Sequence, residues 1–200
     1  MLLYGKNAVH ERLKVNPGSI QEIFLQDNFK DQDILDLIKK CRIPMKFLSA
    51  RDMEKKINKD RVQGIAAEVG DFQYTEFSKL LKNKESIIVF LDRVNDPHNL
   101  GSILRTLACM GGFAICIPKH NSCEVNQTVL HVASGGENFV PISMVTNLTS
   151  AILEAKDAGF WIAGTVVSDA QDIDKVELPR PLGLVLGSEG EGIREGLHKH

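Results

Sequence analysis

The chain has 200 residues, of which 43% are hydrophobic and 25% charged, a composition typical of a globular protein with one large or two small domains. No apolar run reaches the roughly 18–20 residues of a membrane span, and the amino terminus lacks the charged-then-apolar order of a signal peptide. We therefore expect neither a membrane protein nor a secreted one. The four cysteines form no Cys-x-x-Cys pair, which argues against a zinc ribbon or a disulfide framework and favours a cytoplasmic location.

The net charge of −2 is unevenly distributed along the chain. Residues 1–84 carry 16 Lys and Arg against 12 Asp and Glu, whereas residues 85–200 carry 8 against 14. This asymmetry indicates a polyanion-binding module at the front of the chain, joined to a part with a different task. Chance variation among solvated faces is the alternative interpretation.

Short helices and strands alternate over the front of the chain. The spacing of apolar and capping residues predicts a helix at 7–13, a strand at 20–25, a helix at 33–38, a strand at 45–48, a helix capped by Ser49, and a strand at 64–69. Residues 1–70 are therefore predicted to form a small α/β domain with its own core. Residues 71–84 are predicted to be a linker that contains a short helix.

From residue 85 onward the pattern changes to continuous apolar runs, which are typical of parallel strands buried on both faces. These runs cover residues 87–91, 113–117, 160–164 and 182–186, with helices predicted between them near 99–110, 126–133 and 147–158. This order predicts an open, mostly parallel sheet with helices on both faces over residues 85–200. We expect Trp161, Cys109 and Cys116 in its core.

Ligands of open parallel sheets bind just beyond the carboxyl ends of the strands, and residues 92–106 follow one such end. Asp96 and Pro97 predict the start of a helix there, and Gly101 would allow another backbone to come close. Arg105 is expected on the apolar side of this helix. It is either a functional cation or a snorkelling or salt-bridged arginine.

A glycine-rich loop at residues 187–192 follows the last of the apolar runs. Its Gly-x-x-Gly-x-Gly spacing is neither the dinucleotide fingerprint nor a phosphate-binding loop. Glu189 and Glu191 would repel a phosphate, so they favour a cationic or amide-rich ligand, or a hydrogen bond to adenine or ribose. A plain tight turn is the alternative.

Together these two stretches resemble the signature motifs of the SpoU/TrmH-type RNA ribose 2′-O-methyltransferases of the SPOUT superfamily. Residues 92–106 match Asp-x-Val-x-Asp-Pro-x-Asn-x-Gly-x-Ile-x-Arg-Thr at every named position, and residues 184–192 match an apolar run into Gly-x-Glu-Gly-x-Gly. Residues 134–137 resemble the family's small-residue turn between a helix and a strand. Residues 5–9 and 63–65 resemble the small RNA-binding domain of the ribosomal-RNA members, so the resemblance covers nearly the whole chain.

The resemblance implies a homodimer without a metal, in which a deep trefoil knot holds S-adenosylmethionine. The implied site residues lie in or beside the two motifs: Arg105, Asn99 and Glu189 as catalytic residues, and Gly187, Leu186 and Thr165 as cofactor-binding residues. A guanidinium with a pKa above about 12 is a poor general base. Arg105 therefore either acts as the base or anchors a phosphate that takes the proton, and both possibilities stay open.

The implied reaction is methyl transfer from S-adenosylmethionine to a ribose 2′-hydroxyl of RNA. The two-domain layout favours a guanosine in large-subunit ribosomal RNA as the target. The alternatives are a transfer-RNA ribose methyltransferase and a non-catalytic RNA-binding or assembly protein of the same fold. Because the family's third motif, with Ser-Leu-Asn-Val-Ser on a helix, is not found in residues 1–200, we expect the carboxy-terminal part of the knot to be missing from this chain.

Overall fold

The computed structural model describes residues 1–57, 62–168 and 170–199. The helices and strands are, in chain order, β1 (Leu2–Tyr4), α1 (Lys6–Val15), β2 (Ile20–Gln26), α2 (Gln32–Cys41), β3 (Met45–Leu48), α3 (Ala50–Ile57), β4 (Ile65–Val69), α4 (Phe77–Lys82), β5 (Ile87–Leu91), α5 (Pro97–Met110), β6 (Phe113–Pro118), α6 (Gln127–Ala133), β7 (Ile142–Val145), α7 (Leu148–Asp157), β8 (Trp161–Gly164), β9 (Leu182–Leu186) and α8 (Glu195–His198). Within the described residues, every helix is too short or too polar to cross a membrane.

The chain folds into two compact units. Unit 1 consists of Met1–Gln73, Gly101–Thr106 and Val125–Phe139. Unit 2 consists of Tyr74–Leu100, Leu107–Glu124 and Val140–His200. Helix α5 therefore contributes residues to both units, so no single position in the sequence divides them.

Unit 1 contains a four-stranded sheet with the strand order β1-β4-β2-β3. Strand β4 runs antiparallel to both of its neighbours, whereas β2 and β3 are parallel. One apolar cluster joins this sheet to α3 through the buried residues Tyr4, Phe24, Met53, Ile57, Val62 and Ala66. The predicted small α/β fold is confirmed. Strand β1 was not predicted, because three residues are too few to show an alternating pattern.

At the starts of α2 and α3, a side chain accepts a hydrogen bond from a backbone N–H group that has no partner within the helix. The Asp31 carboxylate accepts a hydrogen bond from the Ile34 N–H, which begins α2. The Ser49 hydroxyl accepts from the Asp52 N–H at 3.2 Å, so the predicted cap of α3 is confirmed.

Unit 2 contains a five-stranded, fully parallel sheet with the strand order β7-β6-β5-β9-β8. Central strand β5 is apolar along its whole length and is buried on both of its faces, since Ile88 and Phe90 on one face and Leu91 on the other are fully buried. The predicted open parallel sheet is confirmed. Strand β7 was not among the predicted strands, because its four residues include Ser143 and form no long apolar run.

The three side chains expected in the core of unit 2 differ in their burial. Trp161 lies on edge strand β8 and is 63% exposed, so its predicted place in the core is wrong. Cys109 is exposed near the end of α5, so that prediction is also wrong. Cys116 lies buried on β6 as predicted. Burial and the nearby Glu154 carboxylate raise the pKa of its thiol, which keeps the thiol protonated and unreactive.

Helix α5 begins and packs as its sequence predicts. The Asp96 carboxylate accepts a hydrogen bond from the His98 N–H at 2.8 Å, and Pro97 is the first residue of the helix. A Cβ placed on Gly101 would lie 2.7 Å from Val132 Cβ and 2.9 Å from the Val129 carbonyl oxygen. Gly101 therefore lets α5 and α6 pack at a distance that a side chain would prevent.

We predict that Gly101→Ala destabilises the protein. The added methyl group meets a β-branched carbon and a backbone oxygen, neither of which can move alone, at a cost of about 1–3 kcal/mol, and the better helix propensity of alanine returns only about 1 kcal/mol. Urea unfolding should show a lower midpoint. Gly18→Ala is the control, because its Cβ would meet nothing within 4 Å. Equal stability of the two variants would contradict the close packing of α5 on α6.

A buried ion pair ties α1 to the turn after α6 within unit 1. Arg12 Nη2 lies 2.9 Å from Glu137 Oε1, with the Arg12 side chain 10% exposed and the Glu137 side chain fully buried. The Asn138 side-chain amide donates to the same carboxylate oxygen. No sequence pattern pointed to this pair, because its two residues are 125 positions apart.

We predict that Arg12→Ala lowers the free energy of unfolding by about 3–5 kcal/mol, because it leaves the Glu137 carboxylate buried without its cation. The double variant Arg12→Met with Glu137→Leu should recover most of this loss, since it removes both charges. Lys14→Ala, which breaks an exposed pair with Glu11, serves as the control and should change stability by less than about 0.5 kcal/mol. A small effect of Arg12→Ala would show that this pair does not stabilise unit 1.

Candidate active site

Strands β5 and β9 are parallel neighbours, and this pairing brings the two motif loops together. Residues 87–91 pair in register with residues 182–186, so both strands end at the same edge of the sheet. A backbone hydrogen bond of 2.8 Å from the Asp92 N–H to the Leu186 carbonyl oxygen extends the pairing by one residue. The loops that begin at residues 92 and 187 therefore start side by side.

Side chains of the first motif bind both acids of the glycine-rich loop. The Asn99 amide donates to Glu189 Oε1 at 2.8 Å, and the Arg93 guanidinium forms an ion pair with Glu191. From the sequence alone, the two acids were expected to favour a cationic or amide-rich ligand. Their partners in the structure are instead a cation and an amide of the protein itself.

A third link holds the start of the first loop to the end of the second. The Asp92 carboxylate is fully buried and accepts a hydrogen bond of 2.9 Å from the Arg194 backbone N–H. Arg194 Nε lies 2.7 Å from the other carboxylate oxygen, but its N–H does not point at that oxygen, so this contact is an ion pair without a hydrogen bond. The sequence indicated no role for Arg93 or Arg194, since Arg93 occupies a position that the first motif leaves open and Arg194 lies beyond the end of the second motif.

The glycine-rich loop itself is a tight backbone turn. Ser188 and Gly192 exchange two backbone hydrogen bonds, of 3.1 and 2.9 Å. A Cβ on Gly187 would lie 2.0 Å from the Gly192 carbonyl carbon, and Gly192 has a φ of 66° in the left-handed region. Only glycine at these two positions allows the loop to close on itself without strain.

A cleft of about 470 Å³ lies between this loop and the segment that follows β8. Its walls are residues 165–168 and 187–193, which include Thr165, Gly187 and Glu189 from the predicted site. Its volume is in the range of pockets that hold a small organic ligand. Leu186, predicted as a further wall, is half-buried in β9 and lies outside this lining. The described lining residues include no Lys or Arg, which disfavours a ligand rich in phosphate.

Arg105 is exposed, and its guanidinium donates a hydrogen bond of 3.3 Å to the Val132 carbonyl oxygen of α6. Its predicted place on the apolar side of α5 is wrong. Successive helix residues are rotated by about 100°, so Arg105 lies well away from the line that joins buried Leu104 and Leu107. Of the three predicted catalytic residues, the structure therefore brings Asn99 and Glu189 together beside the cleft. The side-chain hydrogen bond of Arg105 is instead made to a backbone carbonyl of α6.

No group of three or more His, Cys, Asp or Glu side chains within residues 1–57, 62–168 and 170–199 is arranged to hold a metal ion. The site therefore consists of a glycine-rich loop, a cleft without basic side chains, and a network of carboxylates held by Asn and Arg side chains. Such a site can position a ligand through backbone groups and directed hydrogen bonds.

Two family models match the chain, and together they cover nearly all of it. The model of the SpoU rRNA Methylase family matches residues 86–200. The model described as RNA 2′-O ribose methyltransferase substrate binding matches residues 2–75. The first match contains both motif loops, and the second contains the whole four-stranded sheet of unit 1.

Relatives and solved structures agree with these matches. A putative TrmH family tRNA/rRNA methyltransferase of Staphylococcus epidermidis is 36% identical, over 96% of this chain and 80% of the relative, and one from Staphylococcus aureus (strain MSSA476) is 35% identical over the same shares. An AdoMet-bound rRNA methyltransferase from Sinorhizobium meliloti shares the fold, with a TM-score of 0.81 and 19% identity over 100% of this chain and 74% of that one. A SpoU methyltransferase from Streptomyces viridochromogenes in complex with AdoMet also shares it, with a TM-score of 0.80 and 16% identity over 100% and 77%. The resemblance inferred from the two motifs is confirmed, and the chain belongs to the SpoU/TrmH family of RNA methyltransferases.

Proposed function

We propose that the protein transfers a methyl group from S-adenosylmethionine to a ribose 2′-hydroxyl of RNA, and that its target is a guanosine in large-subunit ribosomal RNA. The observation that carries this proposal is the Asn99–Glu189 hydrogen bond, which joins the two motif loops beside a cleft of nucleoside size. Membership of the family indicates the class of reaction, and the candidate active site contains side chains suited to that reaction.

The volume and the lining of the cleft suit S-adenosylmethionine. Its glycine-rich wall offers backbone groups at close range, and a lining without Lys or Arg suits a ligand whose sulfonium centre is cationic. Gly187 and Thr165 would hold the cofactor from the two walls, with Leu186 at the base of the loop. When bound, the cofactor supplies an electrophilic methyl group. AdoMet is bound in the two related structures from Sinorhizobium and Streptomyces.

The protein's own groups have to align a ribose oxygen and remove one proton from it. The Asn99 amide holds Glu189 at the cleft, and Glu189 is thereby placed to accept a hydrogen bond from a substrate group through its second oxygen. Arg105 presents an exposed guanidinium with more N–H donors than the one bond to Val132 uses. Of its two possible roles we favour the phosphate anchor, because a permanently charged group is a poor base.

Further features of the proposed function rest on the family resemblance. We propose that residues 1–70 form the RNA-binding domain, residues 71–84 the linker and residues 85–200 the methyltransferase domain, and that two copies form a homodimer in the cytoplasm. A substrate-binding model matches residues 2–75. We propose ribosomal RNA rather than transfer RNA as the target on the basis of the two-domain layout. Mapping of 2′-O-methylated nucleotides in both RNA classes after incubation with the protein decides between them. Methylation of transfer RNA alone would support the alternative target.

We predict that Arg105→Ala lowers kcat for methyl transfer by about 100-fold or more, because a group that fixes charge or a proton in the transition state contributes on that scale. Arg105→Lys keeps the charge and should retain part of the activity if Arg105 anchors a phosphate. Transfer of tritiated methyl groups to ribosomal RNA measures both rates. Activity of Arg105→Ala within a few-fold of the unmodified protein would remove Arg105 from the catalytic set.

We predict that Asn99→Ala and Glu189→Gln each reduce methyl transfer, and that the double variant is hardly worse than either single one. The reason is that the two side chains share one hydrogen bond, so their effects on the activation free energy should couple by about 0.5–3 kcal/mol. Glu195→Gln, at an exposed position of α8, is the matched control and should leave the rate unchanged. Fully additive losses would show that Asn99 and Glu189 act independently.

A further inference from the structure

Residues 189–191 form the tip of the glycine-rich loop, and they are the exposed part of that loop. Below the tip, the paired backbone groups of Ser188 and Gly192 close the turn. A Cβ on Gly190 would meet nothing within 4 Å, so the middle of the tip is not packed against other residues. Glu191 lies in the wall of the cleft, and the position of the tip therefore affects the width of the cleft.

Arg93 reaches this tip from a part of the first motif loop whose backbone is fixed on both sides. The Asp92 N–H is hydrogen-bonded to β9, and the Val94 carbonyl oxygen accepts a hydrogen bond of 2.8 Å from the Cys123 N–H. The Arg93 side chain is 25% exposed, and its guanidinium forms the ion pair with Glu191. A cation on such an anchored backbone loses less conformational freedom when it pairs than one on a flexible loop.

The backbone conformation of Arg93 indicates that its side chain has a task. Its φ is 62°, in the left-handed region that glycine and asparagine adopt most readily. An arginine in this region carries backbone strain that glycine would avoid. Strain of this kind persists where the surrounding contacts compensate for it, and it is common at functional sites. The contact with Glu191 is such a compensating contact.

We propose that Arg93 is a positioning residue: through Glu191 it holds the tip of the glycine-rich loop in the conformation that binds S-adenosylmethionine. The inference rests on the proposed function in so far as this cofactor is the ligand of the cleft. Arg93 does not line the cleft, so it acts through Glu191 and not by touching the cofactor. Without the ion pair, a smaller fraction of the molecules has the tip in the binding conformation, and the apparent affinity falls in proportion.

The Asn99–Glu189 hydrogen bond does not replace this ion pair. It holds the tip at residue 189, whereas Arg93 holds it at residue 191. Gly190 lies between these two positions, and its flexible backbone lets them move separately. The two carboxylates also repel each other, and the Arg93 guanidinium offsets this repulsion as the neutral Asn99 amide cannot. Both contacts are therefore needed to hold the whole tip.

We predict that Arg93→Asn weakens the binding of S-adenosylmethionine by about 3- to 10-fold, since a partly buried ion pair contributes somewhat more than an exposed one. Asparagine removes the cation but suits the left-handed backbone, so the midpoint of urea unfolding should change little. Calorimetric titration measures the affinity. Hydrogen exchange without any ligand should show faster exchange at the Ser188 and Gly192 amides.

The variant should also raise KM for the cofactor and leave kcat nearly unchanged, because Arg93 does not touch the reacting atoms. Glu191→Ala should have the same effect as Arg93→Asn, and the double variant should be no weaker than either single one. In about 1 M NaCl the difference between Arg93→Asn and the unmodified protein should shrink, because salt screens the ion pair. The matched control is Lys175→Ala, which breaks an ion pair with Asp172 in the same unit but outside the cleft lining, and it should change neither affinity nor exchange.

Unchanged cofactor affinity of Arg93→Asn would overturn the assignment. So would a loss of RNA affinity alone, since Arg93 would then bind an RNA phosphate directly. A fall in the urea midpoint together with faster exchange throughout unit 2 would show a purely structural role. Cofactor binding that depends on Arg93 without methylation of any RNA would refute the proposed function alone, and methyl transfer with an unchanged KM for the cofactor in Arg93→Asn would refute this inference alone. An unmodified protein that does not bind the cofactor would refute both.

Discussion

The buried carboxylate of Asp92 organises the candidate active site of unit 2. It accepts a hydrogen bond from the Arg194 backbone N–H and pairs with the Arg194 guanidinium, so it joins the first residue after β5 to the end of the glycine-rich loop. A carboxylate without exposure is costly unless such partners compensate for its lost hydration. Because Arg194 must reach the Asp92 carboxylate, the two loops are held close to each other. The Asn99–Glu189 and Arg93–Glu191 contacts join the loops in this arrangement.

The parallel pairing of β5 with β9 explains why the two loops can share these contacts at all. The strands are separated by about 90 residues, but as neighbours in a parallel sheet they end at the same edge. The intervening chain forms the other three strands of this sheet and also contributes residues to unit 1. The glycines at 187 and 192 then let the second loop fold back tightly and leave the cleft open beside it.

The charged side chains of unit 1 have different roles from those of unit 2. The buried Arg12–Glu137 ion pair holds α1 to the turn after α6, whereas seven exposed Lys and Arg side chains lie within residues 39–56. Charges in the interior need fixed partners, and they therefore specify one arrangement of the backbone. Exposed charges remain hydrated and available to a polyanion. The uneven charge along the sequence is explained by this second group.

The sequence by itself determined most strands of the two sheets, most of the helices and the family, because apolar periodicity and a motif of many specified residues are local signals. It also placed Asp96, Gly101 and the glycine-rich loop correctly. Only the tertiary structure decided the exposure of Trp161, since an edge strand and a central strand have the same apolar pattern. The tertiary structure alone also decided which side chains contact Glu189 and Glu191, and that Arg12 pairs with Glu137. These contacts join residues about 90 to 125 positions apart, and their formation depends on strand order and packing rather than on any local pattern.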